Sequence, residues 1–92
     1  MDKKESYSIL ISNLIKEGYL KSDNIISAFF NTPRWQFLPE DLKRFSTSDG
    51  PIPIGYGQTM SAPHMVALML ELLDIKEGQN ILEVGTGTGW NT

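Results

Sequence analysis

The sequence has no cysteine and a single histidine, His64. This excludes a disulfide framework, a thiolate metal site and any metal site that needs several imidazoles, so no metal is expected. Excess positive charge is also missing. Eight basic residues against eleven acidic ones leave a formal net charge of -3. Binding driven by phosphate neutralisation needs the opposite sign, so no nucleic-acid partner is expected. No window approaches the roughly 18 consecutive apolar residues of a membrane span. The charged opening Met1-Asp2-Lys3-Lys4-Glu5 lacks the apolar core of a signal peptide. A cytoplasmic protein without membrane contact is the expectation. Repeats and low-complexity tracts are absent. What remains, 40% hydrophobic and 21% charged over 92 residues, fits one small globular domain at most.

The first 45 residues read as a helical region. Tyr7, Leu10, Ile11, Leu14 and Ile15 fall at helical spacing, with Gly18 as a stop. Ser22 is placed to cap a second helix with Ile25, Ile26, Phe29 and Phe30 on one stripe, ended by Thr32-Pro33. Pro39 can open a further turn through Asp41 and Leu42. Residues 46–60 read as a loop, rich in Gly, Pro, Ser and Asp, with Ile52 and Ile54 alternating as a short extended piece; a plain linker explains it too. A third unit, residues 61–92, opens at Ser61-Ala62-Pro63, a serine N-cap followed by proline in the first turn. Its helix is apolar nearly all round, through Met65, Val66, Leu68, Met69, Leu70, Leu72 and Leu73, and is expected to be buried. Asn80-Ile81-Leu82-Glu83-Val84 reads as a strand. Glycines follow at once, and Trp90-Asn91-Thr92 should begin the next helix.

A strand running into clustered glycines and then a helix opens an α/β doubly wound sheet. Dinucleotide loops put their third glycine where this chain has Trp90, and no Gly-Lys-Ser or Gly-Lys-Thr follows, which excludes a nicotinamide oxidoreductase and a nucleotide phosphate loop. Glu83, two residues before the first glycine, would repel a pyrophosphate and suits a positively charged cofactor, an ammonium or a sulfonium. An exposed strand-end acid is the plainer reading of the same residue. Glu83-Val84-Gly85-Thr86-Gly87-Thr88-Gly89 resembles the first motif of S-adenosylmethionine-dependent methyltransferases of Rossmann-like fold. The resemblance implies that Glu83, Val84, Gly85, Thr86, Gly87 and Gly89 seat the cofactor's methionine end.

The stretch from Asp49 to Ala67, DGPIPIGYGQTMSAPHMVA, resembles the signature of the protein-L-isoaspartate O-methyltransferase family, and Arg34 with Phe37 and Pro39 resembles its Arg…Phe-x-Pro element. Thr47 and Trp90 depart from that family's usual tyrosines. The resemblance implies methyl transfer from S-adenosylmethionine to the free carboxylate of L-isoaspartyl residues in damaged proteins, as a repair step. It implies that Ser61 orients the acceptor and that Gln58, Thr59, Met60 and His64 line the cofactor and substrate pocket. From the residues alone Ser61 is equally a helix cap, His64 a packed or solvated histidine, and Gln58 and Thr59 solvated. Tyr56 and Trp35 read as core or cap packing residues in preference to substrate platforms, and the Met65 and Met69 stripe as core. A monomer is expected.

The fold expected is therefore a helical cap followed by the start of a Rossmann-like methyltransferase sheet, truncated after its first strand and glycine loop. An apolar strand without a parallel partner should be marginally stable and aggregation-prone. Two alternatives stand beside the enzyme reading: a methyltransferase of the same fold with another acceptor, and a non-catalytic fragment or binding module. Residues 1–92 alone are expected to show no measurable methyl transfer; turnover of an isoaspartyl peptide by this segment, followed with radiolabelled donor, overturns that.

Overall fold

The computed structural model describes residues 1–92. Helix α1 spans Lys3–Lys16. The Asp2 side chain accepts the Glu5 N–H at 2.8 Å and caps its start. Tyr7, Leu10, Ile11 and Leu14 are buried at the expected helical spacing, whereas Ile15 stays exposed. Gly18 closes the helix at φ +86°, with Gly18 N–H on Ile15 O and Tyr19 N–H on Leu14 O, the Schellman pattern that satisfies otherwise orphaned carbonyls.

Helix α2, Asp23–Asn31, buries Ile25 and Phe29 and exposes Phe30. Both of its ends are held by other elements. Ser22 occupies the N-cap position, but its hydroxyl does not cap. It donates instead to Glu71 at 2.5 Å, and the Lys21 and Ser22 N–H groups donate to the same carboxylate at 2.7 and 2.8 Å. At the other end, the Tyr7 hydroxyl donates to Phe29 O at 2.7 Å and the Trp90 indole to Thr32 O at 2.8 Å. Burial pushes the Tyr7 phenol well above its ordinary pKa, with Arg34 opposing, so it remains a donor.

Two 3₁₀ turns follow, Arg34–Phe37 and Glu40–Phe45. Arg34 is fully buried. Its guanidinium donates to Ser48 O at 3.0 Å, Gly50 O at 2.8 Å and Ser61 O at 2.9 Å. Burial pushes its pKa down to about 10, with Asp49 and Tyr7 favouring the charged form, so it is a cation at neutral pH.

The stretch read as a loop with one extended piece is a β-hairpin. Strands β1, Ile52–Gly55, and β2, Gln58–Met60, pair antiparallel with Ile52 opposite Met60 and Pro53 opposite Thr59. Tyr56 and Gly57 form the two-residue turn, both at positive φ, the conformation whose twist matches paired strands. Ile52 and Met60 point into the core, while Tyr56, read as a packing residue, is fully exposed at the tip. Trp35 does pack, edge-on against Tyr7 at 5.3 Å.

Helix α3 spans Pro63–Leu73 with Ala62, not Ser61, in the N-cap position. The cap comes from elsewhere: Asp49 accepts the His64 N–H at 2.9 Å. The helix is not enclosed as its composition suggested. Val66 and Ala67 are buried, but Met65, Met69, Leu72 and Leu73 are exposed, because α2 packs on one side only. Nor do residues 80–84 form a strand. Ile81, Leu82 and Val84 are exposed in a segment without strand pairing, since a parallel strand draws its hydrogen bonds from neighbours that these residues do not supply. The helix expected at Trp90 is replaced by two turns, Gly89 N–H to Thr86 O and Thr92 N–H to Gly89 O. Trp90 is buried against Phe29, edge-on at 5.5 Å, with the Arg34 guanidinium 5.4 Å from its ring. One apolar cluster thus runs from Tyr7 in α1 through Phe29, Ile52 and Val66 to Trp90. No helix is long and apolar enough to cross a membrane.

Replacing Arg34 leaves three carbonyls without a donor in the interior. Arg34→Met is expected to cost about 3 kcal/mol or more, and Arg34→Lys nearly as much because one ammonium cannot reproduce the fork. Urea unfolding followed by circular dichroism measures both; a shift under about 0.5 kcal/mol for either variant contradicts this account.

Burial raises the Glu71 pKa, but the hydrogen bonds from Ser22 and Lys21 outweigh it and hold the carboxyl below its ordinary value. The unfolded chain therefore takes up the proton first as pH falls. The stabilisation is complete above the unfolded value of about 4.3 and is lost as pH drops through the lower folded value. Glu71→Ala is expected to cost about 1 kcal/mol at pH 7. Its stability curve between pH 3 and 5 should be flatter than that of the parent chain, and parallel curves would remove Glu71 from this role.

Candidate functional site

The hairpin, the start of α3 and the glycine loop enclose an open cleft of about 240 Å³. The glycine loop forms one wall. Gly85, Gly87 and Gly89 all hold positive φ, at +77°, +58° and +90°, so every second residue sits where a side chain would strain the backbone. A Cβ on Gly87 would also come 3.9 Å from Ile54 Cδ1, the point where the loop approaches the hairpin. Thr86, Thr88 and Asn91 add polar groups to this wall. Thr59, Met60 and Ser61, with Met65, Val66 and Met69 of α3, complete the lining.

Ser61 hangs between two constraints. Its carbonyl is fixed by Arg34, and its residue precedes the α3 N-cap instead of occupying it. The side chain is exposed at the cleft and has no capping duty. The first turn of α3 offers few free donors. Pro63 has no N–H, His64 donates to Asp49, and Met65 and Val66 donate to Ala62 O. The start of this helix is thus less open to a carboxylate than its sequence suggests.

Of the residues singled out from sequence, Thr59, Met60, Ser61, Gly85, Thr86 and Gly87 come together in the cleft. Gln58 lies exposed at the hairpin tip opposite Gly55. The His64 Nδ1 lies 3.0 Å from Asp49 and its ring 5.3 Å from that of Tyr19, outside the lining. Glu83 accepts the Thr92 hydroxyl, and Val84 and Gly89 also lie outside the lining. Their segment has no strand pairing to hold it against the cleft. Met65 and Met69, read from sequence as core, are half-exposed walls of the site. Their signal was present, because Met65 and Met69 lie four residues apart in α3 and so share a helix face. Trp90, noted from sequence as a departure from the family's tyrosine, lines the cleft, and Ile54 and Asn91, not singled out as site residues, are brought here by tertiary packing.

No residue lining the cleft carries an ionisable side chain of the carboxylate, imidazole, ammonium or guanidinium kind. The cleft offers hydroxyls, one amide, backbone groups and apolar walls. Such a set binds and orients ligands; it holds no general base and no activated nucleophile.

The family model described as protein-L-isoaspartate(D-aspartate) O-methyltransferase matches residues 5–92. The chain is 49% identical over 94 residues to a protein-L-isoaspartate O-methyltransferase of Pyrococcus horikoshii, covering 99% of this chain and 43% of the relative. It is 44% identical over 88 residues to the protein of that name from Hyperthermus butylicus, covering 96% of this chain and 36% of the relative. Among solved structures it resembles a protein-L-isoaspartate O-methyltransferase from Plasmodium falciparum in complex with S-adenosyl-L-homocysteine. That match has a TM-score of 0.81 and 32% identity, and covers 94% of this chain and 38% of the other. The chain therefore spans less than half the length of the curated relatives it matches. The hairpin, α3 and the glycine loop all lie within that shared part, and across residues 5–92 the chain belongs to the protein-L-isoaspartate (D-aspartate) O-methyltransferase family.

Proposed function

We propose that this chain forms the donor and acceptor seat of an S-adenosylmethionine-dependent methyltransferase acting on the free α-carboxylate of L-isoaspartyl residues in polypeptides. The observation that carries the reading is a cleft lined by both the glycine loop and Ser61, with no ionisable side chain in its lining. A carboxylate with an intrinsic pKa of about 3.3–3.7 is already ionised at neutral pH and needs no base. S-adenosylmethionine, when bound, supplies a methyl group on a sulfonium, a leaving group that needs no acid. What the chain must do is align the two groups and exclude water, and alignment is worth several kcal/mol.

The cofactor fits the chemistry of the lining. The bare backbone at Gly85 and Gly87 admits close approach, and the Met65 and Met69 thioethers give a soft, uncharged lining. Glu83 holds the cofactor's ammonium once its segment is paired in a sheet; Val84 and Gly89 set the loop's course, and Gln58 and His64 close the rim. The Ser61 hydroxyl orients the acceptor carboxylate, a role its freedom from capping supports. The action is repair of damaged proteins in the cytoplasm by a monomer.

Isothermal titration of the full-length protein with S-adenosyl-L-homocysteine tests the seat. Binding is expected, and Gly87→Val should abolish it through backbone strain. Ser61→Ala should lower kcat/KM for an isoaspartyl peptide by roughly 10- to 100-fold, the loss of one or two oriented hydrogen bonds, with cofactor affinity unchanged. An unchanged rate reduces Ser61 to a backbone element, and binding of a nicotinamide dinucleotide in place of the homocysteine product overturns the reading.

A further inference from the structure

The tip of the hairpin combines two unfavourable features. Tyr56 holds φ +56°, a region that a bulky side chain avoids, and its side chain is fully exposed. The two-residue turn at Tyr56-Gly57 favours asparagine, aspartate or glycine in its first position. A tyrosine there strains the backbone and gains no packing from residues 1–92. Strain of this kind persists where the residue is used. The position supports a use. Gly55 pairs with Gln58 across the tip, Ile54 and Thr59 just behind line the cleft, and Ser61 directly follows the end of β2.

We propose that Tyr56 is a specificity-determining contact, stacking its ring on an apolar or aromatic side chain that flanks the acceptor residue in the polypeptide substrate. The inference rests on the methyltransferase reading of the adjoining cleft. A rigid aromatic with two side-chain torsions provides contact area at low entropic cost, which suits recognition of a short flanking segment. The ring carries the contact, and the hydroxyl stays in water.

The test compares Tyr56→Asn and Tyr56→Phe with the parent in the full-length protein, using a fluorescent isoaspartyl peptide with a flanking leucine or phenylalanine. Tyr56→Asn relieves the turn strain, so it should fold and unfold about 2–4 °C higher. It should weaken peptide binding roughly 3- to 10-fold, seen as a raised KM with kcat and S-adenosyl-L-homocysteine affinity unchanged. Tyr56→Phe should bind the peptide as the parent does. Unchanged peptide affinity in Tyr56→Asn overturns the inference while leaving the methyltransferase reading intact. So does an equal loss in Tyr56→Phe, which would assign the contact to the hydroxyl. If the parent itself fails to bind the isoaspartyl peptide, the functional reading falls and this inference with it.

Discussion

One guanidinium ties the chain together. Arg34 reaches from a 3₁₀ turn to the carbonyls of Ser48 and Gly50 before the hairpin and of Ser61 after it. A buried cation is costly unless its donors are used, and three of its bonds go to backbone that has no other partner in view. The hairpin is therefore clamped at both ends by the same side chain. The guanidinium also lies against the Trp90 ring, so one residue links the Ser61 side of the cleft to the glycine loop. Arginine is required by this geometry, because only a planar fork meets several carbonyls in fixed directions.

The other long-range bonds follow the same economy. Helix α2 satisfies little of its own ends and relies on Glu71, Tyr7 and Trp90 from three different parts of the chain. Helix α3 borrows Asp49 as its cap. These borrowed caps bring the first helices, the hairpin and the glycine loop into one cluster despite the small core that 92 residues can bury. They also leave Ser61 unoccupied by structural duty. A site that works by orientation needs groups of that kind, held by their backbone and free at their side chain.

The exposed apolar residues mark where local sequence preference and tertiary supply part company. Met65, Met69, Leu72, Ile81, Leu82 and Val84 read as interior positions of a larger α/β layer, and in these 92 residues no layer covers them. Strand propensity at 80–84 is real, but a strand is a relation between chains of hydrogen bonds, not a property of five residues. The relatives are more than twice as long, which accords with an apolar pattern written for more structure than this segment holds.

The sequence by itself determined the helices, their stops and the glycine loop, because these depend on spacing of three to four residues and on glycine's freedom at positive φ. It also carried the family resemblance, since Asp49 to Ala67 is a continuous stretch. Only the tertiary structure decided which side chains cap which helices, that Tyr56-Gly57 turns a hairpin, and that Trp90 packs on α2 and starts no helix. It alone separated Thr59, Ser61, Gly85 and Gly87, which meet in the cleft, from His64 and Glu83, which do not. The reason is distance along the chain. Contacts between residues 14 to 58 apart depend on the folded path, and no local pattern encodes it.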